Sequence, residues 1–314
     1  MKKKYNILIT GGAGYIGSFL STELIKKGHF VTVIDKLVFG KKAIKNLINN
    51  KNFKLYKKDV SNLNFLKKII NQFDYIIPLA ALVGAPLCKK KPKEALQTNL
   101  DSIKKMVKII NKDKRIIFLT TNSGYGIGKK GKFCTEKTPL NPISLYGRTK
   151  VKAENIVMKH KNSVSFRLAT VFGVSYRMRT DLLVNNFVLT ALKKRKLNLY
   201  ESHFRRNYIG ISDVVSAIIF TINNFQRMRT NIYNLGLSSA NLTKLDLAKS
   251  IKRVIKDLKI NLVTNFEDPD KRDYFVSNNK IEKAGFIPKQ SLKIGIKDLL
   301  IFYKKNKKKI INNY

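Results

Sequence analysis

The chain has 314 residues, of which 44% are hydrophobic, enough for a large core in one domain or two closely joined ones. No apolar run approaches the ~20 residues a membrane helix needs. Its 63 Lys+Arg against 20 Asp+Glu give a formal charge of +43; the lysines are spread through every segment, so the charge reads as compositional bias and nucleic acid is not expected as a partner, although anionic ligands would be attracted. Cys88 and Cys134 stand alone, without a CxxC or Cys/His cluster, which excludes a disulfide framework or zinc site and fits a reducing cytoplasm.

The first predicted element is a strand over 5–10. Its basic start resembles a signal peptide, but the apolar stretch Ile7, Leu8, Ile9 is too short and runs straight into glycines. Thr10-Gly11-Gly12-Ala13-Gly14-Tyr15-Ile16-Gly17 follows, and then a helix over 18–27. A glycine turn between strand and helix lets backbone N–H groups and the helix N-terminus hold a pyrophosphate with no side chains in the way. Gly11, Gly14, Tyr15, Ile16 and Gly17 are the contacts expected there. By itself such a turn is weak evidence. Asp35 strengthens it: the acid ends a strand over 30–35, about 20 residues after the glycines, where a carboxylate accepts hydrogen bonds from adenosine ribose hydroxyls. Its charge would repel a 2′-phosphate, so NAD is the cofactor expected, although Lys36, Lys41 and Lys42 stand close enough in sequence to weaken that preference. A third strand over 53–58 leads to Asp59-Val60, placed either to meet the adenine or to be plain surface.

A helix over 62–72, a strand over 75–79, a helix over 93–110, a strand over 115–120, a helix over 144–159 and a strand over 164–168 continue the alternation. This pattern predicts an α/β fold, a Rossmann-type doubly wound parallel sheet that binds its ligands at the carboxyl ends of the strands. The helix over 144–159 carries Tyr146-Gly147-Arg148-Thr149-Lys150, a phenol and an ammonium on one face, one turn apart. The nearby cation and a positively charged nicotinamide would together favour the phenolate, a base able to take a hydroxyl proton while hydride leaves the same carbon. The spacing alone is common on solvated helix faces; its place after the fifth strand gives it weight. Beyond residue 172 the alternation loosens, with helices over 182–194 and from 292 onward. Residues 1–172 are read as the NAD-binding domain and 173–314 mainly as a smaller α/β substrate-binding lobe, with 207–211 and 232–235 candidates to return to the main sheet.

These motifs together resemble the extended short-chain dehydrogenases, in particular the NAD-dependent nucleotide-sugar epimerase/dehydratase family, over nearly the whole chain. The resemblance implies roles at further positions. Thr121, four positions before Tyr125-Gly126, matches the family's hydroxyl-bearing residue, which would bond the reacting sugar oxygen beside Tyr146 and Lys150. Leu79-Ala80-Ala81 matches the nicotinamide-side loop, with Pro78 in place of the usual histidine, and Asn99 matches a cofactor-side asparagine. Arg206, in Arg206-Asn207-Tyr208-Ile209, and Arg272, in Asp270-Lys271-Arg272-Asp273, are similar to arginines that grip the substrate diphosphate, a task suited to bidentate guanidinium groups. Gly210 replaces a family histidine. Ser123 and Asn185 are implied as substrate contacts, and no metal is implied.

Family members that dehydrate or decarboxylate carry an acid just after the catalytic threonine, where this chain has Asn122 and Ser123. That disfavours a 4,6-dehydratase or decarboxylase. Segments 78–88, 121–128, 167–172, 177–179, 181–185, 203–209, 236–244 and 267–278 resemble the NAD-dependent C4 dehydrogenases of GDP-manno-heptose that serve capsule synthesis. The resemblance therefore implies C4 oxidation of a GDP-linked heptose or related sugar for bacterial surface polysaccharide, by a cytoplasmic homodimer paired through helices 93–110 and 144–159. A UDP- or GDP-sugar 4-epimerase with tightly bound NAD is the alternative. A catalytically idle RNA-binding protein is a remote third, and the joint presence of Thr121, Tyr146 and Lys150 speaks against it.

Overall fold

A computed structural model describes residues 3–129, 131–263 and 272–306. The chain opens with β1 (Asn6–Thr10), α1 (Tyr15–Lys26), β2 (Phe30–Asp35), β3 (Phe53–Lys57), α2 (Leu63–Ile69) and β4 (Tyr75–Pro78). It continues with α3 (Ala85–Lys90), α4 (Pro92–Leu96), α5 (Ser102–Ile109), β5 (Arg115–Thr121), β6 (Phe133–Cys134), α6 (Leu145–Val157), β7 (Ser163–Leu168) and β8 (Thr170–Phe172). The remainder comprises α7 (Leu183–Lys194), β9 (Lys196–Tyr200), β10 (Arg205–Gly210), α8 (Ile211–Asn223), α9 (Phe225–Met228), β11 (Asn231–Leu235) and β12 (Asn241–Thr243). Helix α10 (Lys244–Lys252), β13 (Lys259–Val263), β14 (Phe275–Val276), α11 (Asn279–Lys283) and α12 (Leu292–Lys305) close it.

Seven strands make one parallel sheet in the order β11-β7-β5-β4-β1-β2-β3. Side chains alternate across a strand, and both faces here are covered. Ile7 and Ile9 enter a core with Leu20 and Leu24 of α1 and Val214 and Ile218 of α8. Leu8 points the other way, among Leu66 of α2, Ile103 and Met106 of α5, and Ala153 and Val157 of α6. Double coverage explains why these strands read as apolar runs. The architecture is thus the Rossmann-type α/β fold that the sequence predicts. The strand order reverses between β1 and β4, which opens a crevice at their carboxyl ends.

Two expectations divide here. Segment 232–235 falls in β11, an edge strand paired with β7. Segment 207–211 does not join the main sheet: β10 pairs with β8 and β12 in a separate three-stranded sheet, and Ile211 already begins α8. The physical reason is that β11 occupies the edge of β7, leaving β10 to pair with the strand that follows it. The predicted helix over 93–110 is also interrupted, by a π-helical turn over Gln97–Asp101. The second half builds its own core from Phe172, Val188, Leu197, Leu199, Tyr208, Leu247, Ile251, Ile296 and Leu299.

Candidate active site

A cleft of about 810 Å³ runs along the carboxyl ends of the central strands and is walled on its far side by residues of the second half. The glycine turn forms one end. Gly11 adopts φ +73°, and a Cβ there would lie 2.6 Å from the Ala80 nitrogen; a Cβ on Gly17 would lie 2.3 Å from the Gly11 carbonyl oxygen. The turn therefore packs against the loop after β4 and against the start of α1 at once, which only glycine permits. Gly14 precedes α1 and offers no side chain to cap it, leaving the first-turn N–H groups to a ligand. Asp35 locks the turn from the side, its Oδ2 accepting from the Ala13 nitrogen at 3.0 Å and its Oδ1 from the Leu37 nitrogen at 2.7 Å. Each oxygen keeps a lone pair for a further donor. Lys36, expected to weaken the preference for NAD, instead pairs with Asp59 at 2.9 Å.

These features fit NAD: a side-chain-free cradle beside a helix N-terminus, then a carboxylate with spare acceptor capacity at the end of β2. Gly11, Gly14, Tyr15, Ile16, Gly17, Asp35, Asp59, Val60, Leu79, Ala80 and Ala81 all line the cleft. Tyr15 does more than line it. Its hydroxyl donates to the Gly173 carbonyl at 2.8 Å and its own carbonyl accepts from the Ser175 hydroxyl at 2.6 Å, which ties α1 to the segment after β8.

Thr121, Tyr146 and Lys150 also line the cleft. Ser144 caps α6 by accepting from the Gly147 nitrogen, so the helix begins just ahead of Tyr146, and the i,i+4 spacing sets Tyr146 and Lys150 on one face. Burial pushes the Tyr146 phenol up to about 12, against the pull of the Arg179 and Arg272 guanidinium groups. Two arginines of the second half thus join the lysine one turn away among the cations of this site. Lys150 is itself buried, which pushes its ammonium down to about 8 while Glu154 pulls it back up. Its Nζ sits 4.2 Å from the centre of the Phe118 ring, a face that favours a cation.

Three other expected site residues do not reach the cleft. Asn99 is buried in the π-helical turn, where its Oδ1 accepts from the Leu82 nitrogen at 2.8 Å and its Nδ2 donates to the Leu82 carbonyl at 2.9 Å. It holds the loop that lines the cofactor end, and does so from behind. Asn185 accepts from the Gly173 nitrogen and donates to the Arg179 carbonyl, pinning the segment that carries the arginines. Ser123 is buried, its hydroxyl 2.9 Å from the Thr121 hydroxyl, and so supports Thr121. A buried amide or hydroxyl must satisfy its own hydrogen bonds; backbone groups take up the Asn99 and Asn185 amides and the Thr121 hydroxyl takes up that of Ser123, so the three act here as supports of the cleft.

The far wall carries Arg177, Arg179, Asp181, Arg206, Lys244 and Arg272. Arg206 and Arg272 are where the sequence placed its anion-binding arginines; Asp270 and Lys271 beside the latter lie outside the described residues. Arg179 pairs with Asp181, and Lys244 donates to the Tyr200 carbonyl at 2.8 Å. The sequence reading assigned no role to Arg177, Arg179, Asp181, Lys244 or Tyr274. The Arg177-Met178-Arg179 run was visible, but in a chain with 63 Lys+Arg charge alone does not single out a site. Among the described residues, no group of three His, Cys, Asp or Glu could hold a metal ion, and no helix is long and apolar enough to cross a membrane.

Comparison with known proteins matches residues 7–236 to the NAD dependent epimerase/dehydratase family. A UDP-glucuronic acid decarboxylase 1 of Arabidopsis thaliana is 28% identical, over 94% of this chain and 69% of its own length. A UDP-glucose 4-epimerase of Lactobacillus helveticus is 27% identical, over 79% and 81%. Among solved structures, the UDP-glucuronic acid 4-epimerase of Bacillus cereus, in complex with UDP-glucuronic acid and NAD, has a similar fold. Its TM-score is 0.83 at 22% identity, covering 96% of this chain and 99% of that one.

Proposed function

The chain belongs to the NAD dependent epimerase/dehydratase family and is an NAD-dependent enzyme, and on that premise we propose that it oxidises a secondary hydroxyl of a nucleotide-activated sugar, at C4. The observation that carries this reading is the meeting of Tyr146, Lys150 and Thr121 in one cleft with the glycine turn and an arginine wall. NAD, when bound, supplies the hydride acceptor. The Tyr146 oxygen takes the proton of the sugar hydroxyl, and the Thr121 hydroxyl bonds the same sugar oxygen, oriented by Ser123. Arg179 and Arg272, which already pull the phenol down, and the Lys150 ammonium act in concert with the cofactor's charge to favour phenolate. Arg206 and Arg272 hold the diphosphate, the chemistry that charge-assisted guanidinium bonding suits best.

For the sugar we propose a GDP-linked heptose or a related sugar, supported by the segment-level resemblance described for the sequence. The absence of a carboxylate at 122 and 123 supports simple oxidation over elimination or decarboxylation. A second reading, a UDP-sugar 4-epimerase that keeps its NAD through the cycle, is favoured by the relatives, which act on UDP-sugars by name.

Incubating the purified protein with a panel of GDP- and UDP-sugars, while following NADH absorbance and product mass, separates the two. A product two hydrogens lighter with NADH formed supports the dehydrogenase. An isomer of unchanged mass without net NADH supports the epimerase, and no turnover of any nucleotide sugar would sink both.

A further inference from the structure

The loop after Asp35 and the segment after β8 meet across the cleft at Phe39 and Arg177, and neither of these two residues has a role in the chemistry above. Leu37 and Gly40 both adopt positive φ, 58° and 74°, and the Gly40 nitrogen donates to the Leu37 carbonyl at 2.8 Å. This tight turn pushes Val38 and Phe39 outward, with Phe39 50% exposed. Its ring is nevertheless covered on one face: the Arg177 guanidinium lies 4.1 Å from the ring centre. Both residues line the cleft. One side of the contact begins two residues beyond the Asp35 carboxylate. The other follows Ser175, which is bonded to the Tyr15 carbonyl of the pyrophosphate turn. The Phe39–Arg177 contact therefore spans the cofactor end of the cleft from wall to wall.

We propose that Phe39 and Arg177 form a clasp across the cofactor end of the cleft, which must open for NAD to enter or leave. The inference rests on the assignment of this cleft to NAD. Phe39 projects from the exposed tip of its turn and is the side that swings, whereas Arg177 is mostly buried and donates to the Met178 carbonyl. The clasp sets how long one cofactor stays bound. It thereby separates an enzyme that exchanges NAD each turnover from one that reuses the same molecule.

The test is the exchange of bound NAD against isotopically labelled NAD, followed by mass spectrometry on the full chain. Phe39→Leu, which keeps apolar bulk without a π face, and Arg177→Met are each expected to accelerate exchange about 2- to 10-fold, the range a partly exposed cation–π contact supplies. The double variant should exchange no faster than the faster single one, and Phe39→Tyr should remain slow. Wild-type exchange rates in the single variants, or effects that multiply in the double, would overturn the clasp alone. A wild-type protein that neither carries nor takes up NAD would overturn the cleft assignment and the clasp with it.

Discussion

Arg167 on β7 holds Glu154 on α6 through Nε at 3.0 Å and Nη2 at 2.7 Å, and Glu154 has no exposed surface at all. Ser165 donates to the same carboxylate at 2.9 Å, while the Arg167 Nη1 reaches the Tyr125 hydroxyl at 3.1 Å. Removing one partner of such a pair strands a buried charge, which costs about 3–5 kcal/mol. Glu154→Gln is therefore expected to lower the urea midpoint accordingly, and Glu154→Leu with Arg167→Met to recover most of the loss. Equal destabilisation in the single and double variants would mean that the pair itself contributes stability.

The Lys150 ammonium, pushed down to about 8, gives the reaction an alkaline limit. Below that pH the charge is present; as pH rises through it the charge is lost and the phenolate loses support, so kcat should fall above about pH 8. Lys150→Arg, whose guanidinium does not titrate in this range, should be slower at neutral pH yet lack that limb. An identical limb in the variant would assign it to another group.

Tyr146→Phe removes the proposed base and leaves the glycine turn untouched. Turnover should drop about 10²- to 10⁴-fold with NAD affinity retained, measured by fluorescence titration. Unchanged turnover would remove Tyr146 from the mechanism.

Asp35 accepts from two backbone nitrogens and has capacity left for a ribose. Asp35→Asn should weaken NAD binding about tenfold, the worth of one charge-assisted hydrogen bond, and narrow the gap to NADP. Calorimetric titration with both cofactors decides it.

Asn99→Ala removes two hydrogen bonds to the half-buried Leu82 backbone, each worth about 0.5–1.5 kcal/mol. Because Asn99 acts through the loop, the variant should raise the KM for NAD as well as lower the melting temperature. A stability loss with cofactor affinity unaltered would make the role purely structural.

Local periodicity was enough to read the parallel sheet, since strands such as Asn6–Thr10 bury both faces and must be apolar throughout. The glycine turn, Asp35 and the Tyr146/Lys150 pair were legible for a similar reason: each depends on backbone geometry or helical spacing over a few residues. What the neighbours of those residues are was not legible. That Arg179 and Arg272 act on Tyr146, that Asn99 and Asn185 spend their amides on Leu82, Gly173 and Arg179, and that Lys36 turns to Asp59 depend on segments brought together by the fold. The pairing of β10 with β8 likewise followed from which edge β11 had filled. The sequence alone thus determined the layered architecture and the candidate reactive groups, because those follow from short-range spacing. The tertiary structure decided which side chains face the cleft and which support it from behind, because burial and hydrogen-bond satisfaction are set by contacts distant along the chain.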